Sequence, residues 1–334
     1  MSSTGRYLVT TSDYYPTLGG LTTFCTNIEK SLNACEIPYD LFHWKKKSDF
    51  LKIKDSKYKK VIHVHPWGSY YHALVDNRGA PTINFYHGSE VLFLGRTPFH
   101  SLFKKIIKNS VLKVFERSDY NIFISDFTFK KLISQGLRPD YSRDIVYHNG
   151  IDLKDSQYIE NDIEEELHFI CVARDVPHKN LEATVLFCEK IKKLFPQINV
   201  FLYLTSSRFR SQDIVIEDIS GVSNNVLDEY YKKSHFNLLF SKDDSNRGFY
   251  EGFGLTCLEA GKYGVPSIVS PYGGLPENVH HGLNGLVLNS ETLFLDCTKI
   301  FWDKFAYKQM RKDTFNHTHS SHGVDKLTKL WRAL

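Results

Sequence analysis

Residues 249–288 read FYEGFGLTCLEAGKYGVPSIVSPYGGLPENVHHGLNGLVL and contain the strongest fold signal in the chain. Two acids, Glu251 and Glu259, lie eight positions apart, and Gly252 and Gly254 follow closely after the first acid. Glycine allows the backbone to bend tightly around a ligand. The pattern predicts a turn that opens into a helix, with the second acid about two helical turns, roughly 12 Å, beyond the first.

The surrounding residues favour a ligand with phosphates and hydroxyls. A helix is predicted at 256–262, and the N–H groups at the start of a helix suit a phosphate. Residues 265–270 are typical of a buried strand, and the turn 271–274 follows it. Ligands of open α/β sheets bind at such strand ends. Taken alone, the glutamate pair is equally compatible with a capped surface helix whose acids are in solvent.

This segment resembles the E-x7-E signature of retaining glycosyltransferases of family 4, with order and spacing matching along residues 249–288. The resemblance implies an α/β protein of GT-B architecture, with two Rossmann-like domains facing a deep interdomain cleft. It implies that Glu251 contacts the hydroxyls of the donor sugar and Glu259 the ribose of the nucleotide. Four residues would hold the donor diphosphate through their backbone: Phe253, Gly254, Leu255 and Thr256.

Length and composition agree with a protein of this kind. A chain of 334 residues with 42% hydrophobic and 24% charged residues is typical of a globular protein of two domains. The N-terminal residues lack the features of a secretory signal, and the six cysteines lack C-x-x-C spacing. We therefore expect a cytoplasmic protein with reduced thiols.

Charge is unevenly distributed along the chain. Residues 1–150 hold 21 basic and 13 acidic residues, a formal charge of +8, whereas the remainder holds 21 and 25, a formal charge of −4. The basic half could face an anionic surface or substrate. Arginine clusters and aromatic residues interleaved on basic strands are missing from the sequence, so nucleic acid is not an expected partner.

Two short motifs in the first half are candidate site residues. Gly19 and Gly20 lie between a predicted strand and a predicted helix, although without the dinucleotide fingerprint. His87 follows the predicted strand 82–86. Without the resemblance, a tight turn and a structural histidine would explain both. The resemblance implies that the glycine pair borders the donor phosphates and the acceptor pocket, and that His87 lies beside the donor sugar.

The segment 99–117 has apolar residues at helical spacing on one face and mostly lysines on the other. Two interpretations remain open. The helix packs on the sheet and leaves a solvated basic face, or it docks on an anionic membrane surface. In many members of the family that the chain resembles, a helix near this position docks on a membrane surface.

A second pair of candidate site residues, Arg174 and Lys179, follows the predicted strand 167–173. Charge-assisted contacts are strong, so two cations on one loop suit a diphosphate, with a solvated loop as the alternative. The resemblance to the family's R-x4-K element implies that they neutralise the leaving diphosphate. Asp243 and Asp244 also follow a strand and resemble the metal site of the GT-A architecture. We favour a hydrophilic loop there, and expect no metal and no cofactor besides the nucleotide sugar.

Three regions are predicted along the chain. Residues 1–155 would form the acceptor-side domain, and residues 156–315 the domain that binds the nucleotide sugar. Residues 316–334 would include a last helix, which the resemblance implies packs back on the first domain. The histidine-rich stretch 317–322 is interpreted as a surface linker.

The predicted activity is transfer of a hexosyl unit from a nucleotide sugar, with UDP favoured over GDP, to a hydroxyl of a glycan or lipid-linked saccharide. The resemblance implies retention at the anomeric carbon and no required metal. Polysaccharide biosynthesis at the inner face of a membrane fits the basic first half. Two alternatives remain, a GT-B-type nucleotide-sugar epimerase and a non-catalytic nucleotide-sugar-binding subunit.

Overall fold

The computed structural model describes residues 5–14, 20–53, 57–75, 79–94, 98–289, 291–323 and 325–334. They form two compact units. The first contains the described residues of 1–151, 245–253 and 324–334, and the second contains those of 152–244 and 254–323. Each unit has a six-stranded sheet whose paired strands run parallel. The predicted α/β class with two Rossmann-like domains is confirmed.

The sheet of the first unit has the strand order β2-β1-β3-β4-β5-β6. Its strands are β1 (Tyr7–Thr11), β2 (Tyr39–His43), β3 (Lys60–His63), β4 (Thr82–Tyr86), β5 (Tyr120–Phe123) and β6 (Asp144–Val146). The helices that connect them are α1 (Gly20–Ala34), α2 (Pro66–Ala73), α3 (Pro98–Phe115) and α4 (Asp126–Ser134). Every residue of β1 and β4 is buried, as expected for a parallel sheet covered on both faces.

The sheet of the second unit has the order β12-β11-β10-β7-β8-β9. Its strands are β7 (Glu166–Cys171), β8 (Asn199–Leu204), β9 (Val215–Asp218), β10 (Phe236–Leu239), β11 (Ser267–Val269) and β12 (Gly285–Val287). Its helices are α5 (Leu181–Leu194), α6 (Asn224–Lys233), α7 (Leu255–Gly261), α8 (Leu275–Asn278), α9 (Glu291–Trp302) and α10 (Lys304–Ser321). Connections leave β7 and β10 in opposite directions, so the topological switch point lies between these two strands.

The last helix, α11 (Asp325–Ala333), belongs to the first unit and packs against α1. Leu327, Leu330 and Trp331 join the core that α1 forms with β1, β3 and β4. The indole of Trp331 donates a hydrogen bond of 2.7 Å to the hydroxyl of Ser31 on α1. An apolar face and one buried polar contact therefore fix this helix.

The histidine-rich stretch is helical, so its interpretation as a surface linker was wrong. It forms the end of α10, and His322, directly after the helix, is only 2% exposed. Arg311 on the same helix is fully buried and donates to the backbone carbonyls of Ile159, Ser234 and Tyr263. Because these carbonyls are distant in sequence, the contacts that hold α10 in place cannot be recognised from the sequence of the helix itself.

Helix α3 is amphipathic as predicted, but its apolar residues are buried only in its second half. Val111, Leu112 and Phe115 are buried. Four large apolar side chains in the first half are exposed: Phe99 (77%), Leu102 (58%), Phe103 (51%) and Ile106 (71%). Sequence periodicity identified the apolar face but gave no information about what covers it.

Three short elements were not predicted: α2, α8 and β12. Helix α2 begins with Pro66 at its first turn, after His65, whose side chain accepts from the N–H of Trp67. Short elements like these carry too little periodicity to be distinguished from loops. Within the described part of the chain, no helix combines the length and the apolar character that crossing a membrane requires.

Candidate functional site

The loop after β7 carries both predicted cations. Arg174 is exposed, and Lys179 is half-buried at the end of a short 3-10 turn, Pro177–Lys179. The loop begins at the carboxyl end of β7, the strand that lies beside β10 at the topological switch point. This is the position at which open α/β sheets bind their ligands.

Four contacts anchor this loop. The carboxylate of Asp175 accepts from the hydroxyl of Ser206 at 2.7 Å and lies 3.1 Å from the guanidinium of Arg208. The side chain of Asn180, in the left-handed conformation at φ 53°, donates to the carbonyl of Phe240 at 3.2 Å. The carbonyl of His178 accepts from the N–H of Lys242 at 2.8 Å. The loop is thus tied to the segments that follow β8 and β10.

Gly254 immediately precedes α7, and its place allows no larger residue. Its φ is 83°, in the region that favours glycine, and a Cβ atom there would lie 2.6 Å from Leu275. Its carbonyl accepts a hydrogen bond of 3.0 Å from the side chain of Asn278. Leu255 and Thr256 are the first residues of α7, and the structure places them directly after this turn.

Glu259 lies on α7 with a half-buried side chain. The phenol of Tyr231, on α6, donates to its carboxylate at 3.1 Å. Desolvation by burial raises the pKa of Glu259, while the bond from Tyr231 and the charge of Lys262 act in the opposite direction. The contact fixes the orientation of the carboxylate.

Glu251 belongs to the first unit, because the chain passes into the second unit only at Gly254. Its neighbours pack on the turn that follows β4. Tyr250 donates to the carbonyl of Gly88 at 2.7 Å, and Gly252 approaches the carbonyl of His87 so closely that a Cβ would lie 2.1 Å from it. The residues between Glu251 and α7 are not helical, so the expectation of two helical turns between the acids was wrong.

Phe253 is the last residue of this first-unit segment and is buried. Its ring stacks on that of His148, with 5.3 Å between the ring centroids and 26° between the planes. His148 lies just beyond β6, at the same edge of the sheet as His87. The aromatic pair therefore anchors the end of the segment that carries Glu251.

His87 lies directly after β4, with its ring edge-on to Phe24 at 4.5 Å between ring centroids. Its Nε2 atom is buried and has no hydrogen-bond partner among the described residues. Desolvation lowers the pKa of His87 to about 4, so the imidazole is neutral near pH 7. A buried nitrogen without a partner costs free energy, which a ligand hydroxyl would relieve.

The remaining predicted positions are less informative. Gly19 lies outside the described residues, and Gly20 is the exposed first residue of α1. Asp243 is exposed and Asp244 is half-buried, in the segment between β10 and the 3-10 turn Ser245–Arg247. Among the described residues, no group of three histidine, cysteine, aspartate or glutamate side chains is arranged to hold a metal ion.

The candidate residues are divided between the two units. His87, Glu251 and Phe253 lie in the first unit. The second unit contains Arg174, Lys179, Gly254, Leu255, Thr256 and Glu259. Sequence reasoning missed the residues that hold these groups in place, namely Glu90, Asp175, Asn180, Tyr231 and Asn278. Only Asn180 carries a local signal, because asparagine after a short turn favours the left-handed conformation.

Two Rossmann-like units, each built on a parallel six-stranded sheet, are the architecture of the GT-B fold. Two family models match the chain in order: "Glycosyltransferase Family 4" over residues 36–155 and "Glycosyl transferases group 1" over residues 215–293. Both halves of the chain are thus similar to glycosyltransferase families.

Two curated relatives are similar in sequence. A GDP-mannose-dependent alpha-(1-6)-phosphatidylinositol monomannoside mannosyltransferase of Mycobacterium tuberculosis is 27% identical over 136 residues, 37% of this chain and 34% of that protein. The chain therefore spans about a third of the length of this relative. An uncharacterized glycosyltransferase of Methanocaldococcus jannaschii is 25% identical over 309 residues, 83% of this chain and 82% of that protein.

Solved structures share the fold. Sucrose-phosphate synthase from Thermosynechococcus elongatus has a TM-score of 0.74 at 15% identity, with 98% of each chain covered. HepE from Anabaena, in complex with UDP and glucose, has a TM-score of 0.70 at 14% identity, also with 98% of each chain covered. At this level of identity the likeness shows the fold alone.

Proposed function

We propose that this glycosyltransferase moves a hexosyl unit from a UDP-sugar to a hydroxyl of a glycan or lipid-linked saccharide, with retention at the anomeric carbon and without a metal. One observation carries the proposal. The loop with Arg174 and Lys179 is anchored at the switch point of the second sheet, so that two cations are held where such sheets bind ligands. A relative named for GDP-mannose and a structure in complex with UDP and glucose support a nucleotide-sugar donor.

In the proposed mechanism, departure of the glycosyl group builds negative charge on the diphosphate oxygens. Arg174, Lys179 and the N–H groups at Gly254, Leu255 and Thr256 stabilise this charge. Their anchoring means that little reorganisation is needed during the reaction, and removing one such group typically costs about 2.7–4 kcal/mol of barrier, or 10²–10³ in rate. The leaving phosphate takes the proton of the acceptor hydroxyl.

The two glutamates and the histidine hold the hydroxyls of the donor. Glu259, fixed by Tyr231, accepts hydrogen bonds from the ribose. Glu251 accepts from the hydroxyls of the sugar. His87 offers its buried Nε2 to a sugar hydroxyl, and because its imidazole is neutral, it acts as a hydrogen-bonding group rather than as a charge.

Replacing Lys179 tests the mechanism. Lys179→Ala should abolish transfer, because the developing charge on the diphosphate loses a cation, while the unfolding midpoint stays at the parental value. Lys193→Ala is the matched control, since Lys193 lies exposed on α5 and pairs with Asp213 at 3.9 Å. Parental turnover in Lys179→Ala would contradict the mechanism.

Binding and turnover measurements separate the alternative functions and identify the donor. Thermal-shift measurements against UDP- and GDP-sugars show which nucleotide stabilises the protein, because a ligand that binds only the folded state raises its stability. Formation of a new nucleotide sugar from donor alone would identify an epimerase. Donor binding without turnover, across a panel of glycan and lipid-linked acceptors, would identify a binding subunit.

We also propose that the exposed apolar stripe of α3 docks on an anionic bilayer. This stripe consists of Phe99, Leu102, Phe103 and Ile106, all more than half exposed. The sequence of α3 contains four lysines and no acidic residue, so its charge complements anionic lipid headgroups. Exposed apolar side chains flanked by lysines are the composition of helices that lie in the membrane interface.

Vesicle flotation tests this docking. The protein should float with phosphatidylserine-containing vesicles at low salt, and Leu102→Ser combined with Ile106→Ser should prevent it, because the helix loses half of its exposed stripe. Leu186→Ser is the control, since Leu186 on α5 is 63% exposed but lies in the other unit. Failure of the parent protein to float at low salt would rule out the membrane as the partner.

A further inference from the structure

The turn that presents His87 is held by a single carboxylate. Oε1 of Glu90 accepts hydrogen bonds from the backbone N–H groups of both His87 and Gly88, the latter at 2.9 Å. Glu90 lies in the 3-10 turn Ser89–Leu92, which follows immediately. Charge-assisted hydrogen bonds to backbone N–H groups are among the stronger contacts in proteins. The peptide groups on either side of the His87 α-carbon are thus fixed to one oxygen atom.

The carbonyl groups of the same turn are held by another segment, residues 250–252. Tyr250 donates to the carbonyl of Gly88, and Gly252 packs against the carbonyl of His87. The φ of Gly88 is 155°, a conformation that residues with a side chain rarely adopt. The shape of this turn is therefore imposed by the groups that contact it rather than by the backbone preferences of its own residues.

Glu90 is itself balanced by a cation on α3. The ammonium group of Lys104 donates to the carbonyl of Leu94 at 2.9 Å and lies 5.0 Å from the ring centroid of Trp67. The indole of Trp67 in turn donates to the carbonyl of Glu90 at 3.4 Å. Desolvation raises the pKa of Glu90, and the charge of Lys104 acts against this shift. A desolvated carboxylate is costly unless it is hydrogen-bonded, and this one accepts from two backbone N–H groups.

We infer that Glu90 is a positioning residue for the transfer reaction, which sets the place of the His87 imidazole by holding the His87–Gly88 turn. The inference rests on the proposed role of His87 at the donor sugar. It goes further because it assigns a function to a carboxylate that acts only through the backbone of its neighbours. Glu90 contacts the His87 turn through the N–H groups of His87 and Gly88.

A double-mutant cycle tests this assignment. Glu90→Ala should lower kcat by about 100-fold, the loss expected when a catalytic group moves by roughly 1 Å. The Kd for UDP should not change, because the proposed diphosphate-binding residues lie in the other unit. In a chain that already carries His87→Ala, adding Glu90→Ala should lower kcat no further, because the group that Glu90 positions is gone. Glu90→Gln keeps an acceptor oxygen and should retain more activity than Glu90→Ala.

Asp119→Ala is the matched control. Asp119 also accepts a backbone N–H with its carboxylate, that of Thr82 at 2.8 Å, but at the opposite end of β4. Its removal should leave kcat at the parental value. If Asp119→Ala lowers kcat as much as Glu90→Ala does, then the loss of any carboxylate that binds a backbone N–H at an end of β4 explains the effect, and the inference is wrong.

The other possible results also test the role of Glu90. Unchanged kcat in Glu90→Ala, or equal losses from Glu90→Ala with and without His87, would overturn the inference while leaving the proposed function intact. If Glu90→Ala does not fold, the same cycle with Glu90→Gln gives the answer. A parent protein that binds UDP but transfers no sugar would overturn the proposed function and, with it, this role of Glu90.

Discussion

Gly252→Ala is the most direct test of the packing that places Glu251 beside the His87 turn. The added Cβ would lie 2.1 Å from the carbonyl oxygen of His87 and 2.9 Å from Ile124, whereas ordinary van der Waals contact begins at 3.4 Å. The backbone at position 252 must therefore retreat from the His87 carbonyl by about 1.3 Å, the difference between 2.1 and 3.4 Å. Because the obstacle is a backbone oxygen, no change of side-chain rotamer relieves it.

Two effects follow from that displacement, one on stability and one on the rate. Forcing an extra carbon into a packed region costs about 1–3 kcal/mol of the free energy of unfolding. A shift of roughly 1 Å at a catalytic group can cost about 100-fold in rate. Glu251 is the adjacent residue, so we expect kcat to fall by about that factor, together with a measurable loss of stability.

The assay measures kcat for sugar transfer and the free energy of unfolding in urea for the same variant. Gly261→Ala is the matched comparison, because its Cβ would lie 2.1 Å from the side-chain oxygen of Thr318 in the other unit. Adding Thr318→Ala should restore stability to Gly261→Ala. Adding Ile124→Ala should not rescue Gly252→Ala, because the His87 carbonyl remains. Parental kcat and stability in Gly252→Ala would refute the reasoning.

Three further predictions concern the metal, the stereochemistry and the effect of pH. EDTA should leave transfer unchanged; complete loss that Mn²⁺ restores would instead favour metal binding by Asp243 and Asp244. Proton NMR of the product should show the anomeric configuration of the donor, and an inverted linkage would contradict the proposed retention. Desolvation lowers the pKa of His65 to about 3, of His87 to about 4 and of His235 to about 3. On unfolding below about pH 6.5 each of them takes up a proton, so the folded state loses up to about 1.4 kcal/mol per pH unit for each histidine as the pH falls. Urea denaturation between pH 7 and pH 5 should show this loss, and a constant free energy of unfolding would contradict it.

Local patterns were sufficient for most of the fold. The predicted strand 82–86 matches β4 at both ends, and the predicted strand 167–173 overlaps β7 at Glu166–Cys171. Strands buried on both faces leave continuous apolar runs, and amphipathic helices leave a period of 3.6 residues. Both signals are contained within the element itself, so the sequence displays them directly.

Spacing also grouped the candidate residues of the second unit, whose roles the family resemblance implied. Arg174 and Lys179 share one loop, and the residues from Gly254 to Glu259 share one helix and its start. Residues this close in the chain stay close in any fold that forms the element. For this reason spacing alone was enough to group them.

Contacts between distant residues were decided only by the tertiary structure. Gly252 packs on His87, which lies far from it in sequence, and this contact groups Glu251 with the first unit rather than with Glu259. Likewise, the exposure of Phe99 and Ile106 depends on whether another element covers them. The periodicity of the sequence shows which side chains share a face of a helix. Whether that face is buried depends on the surface that packs against it, and only folding brings that surface into place.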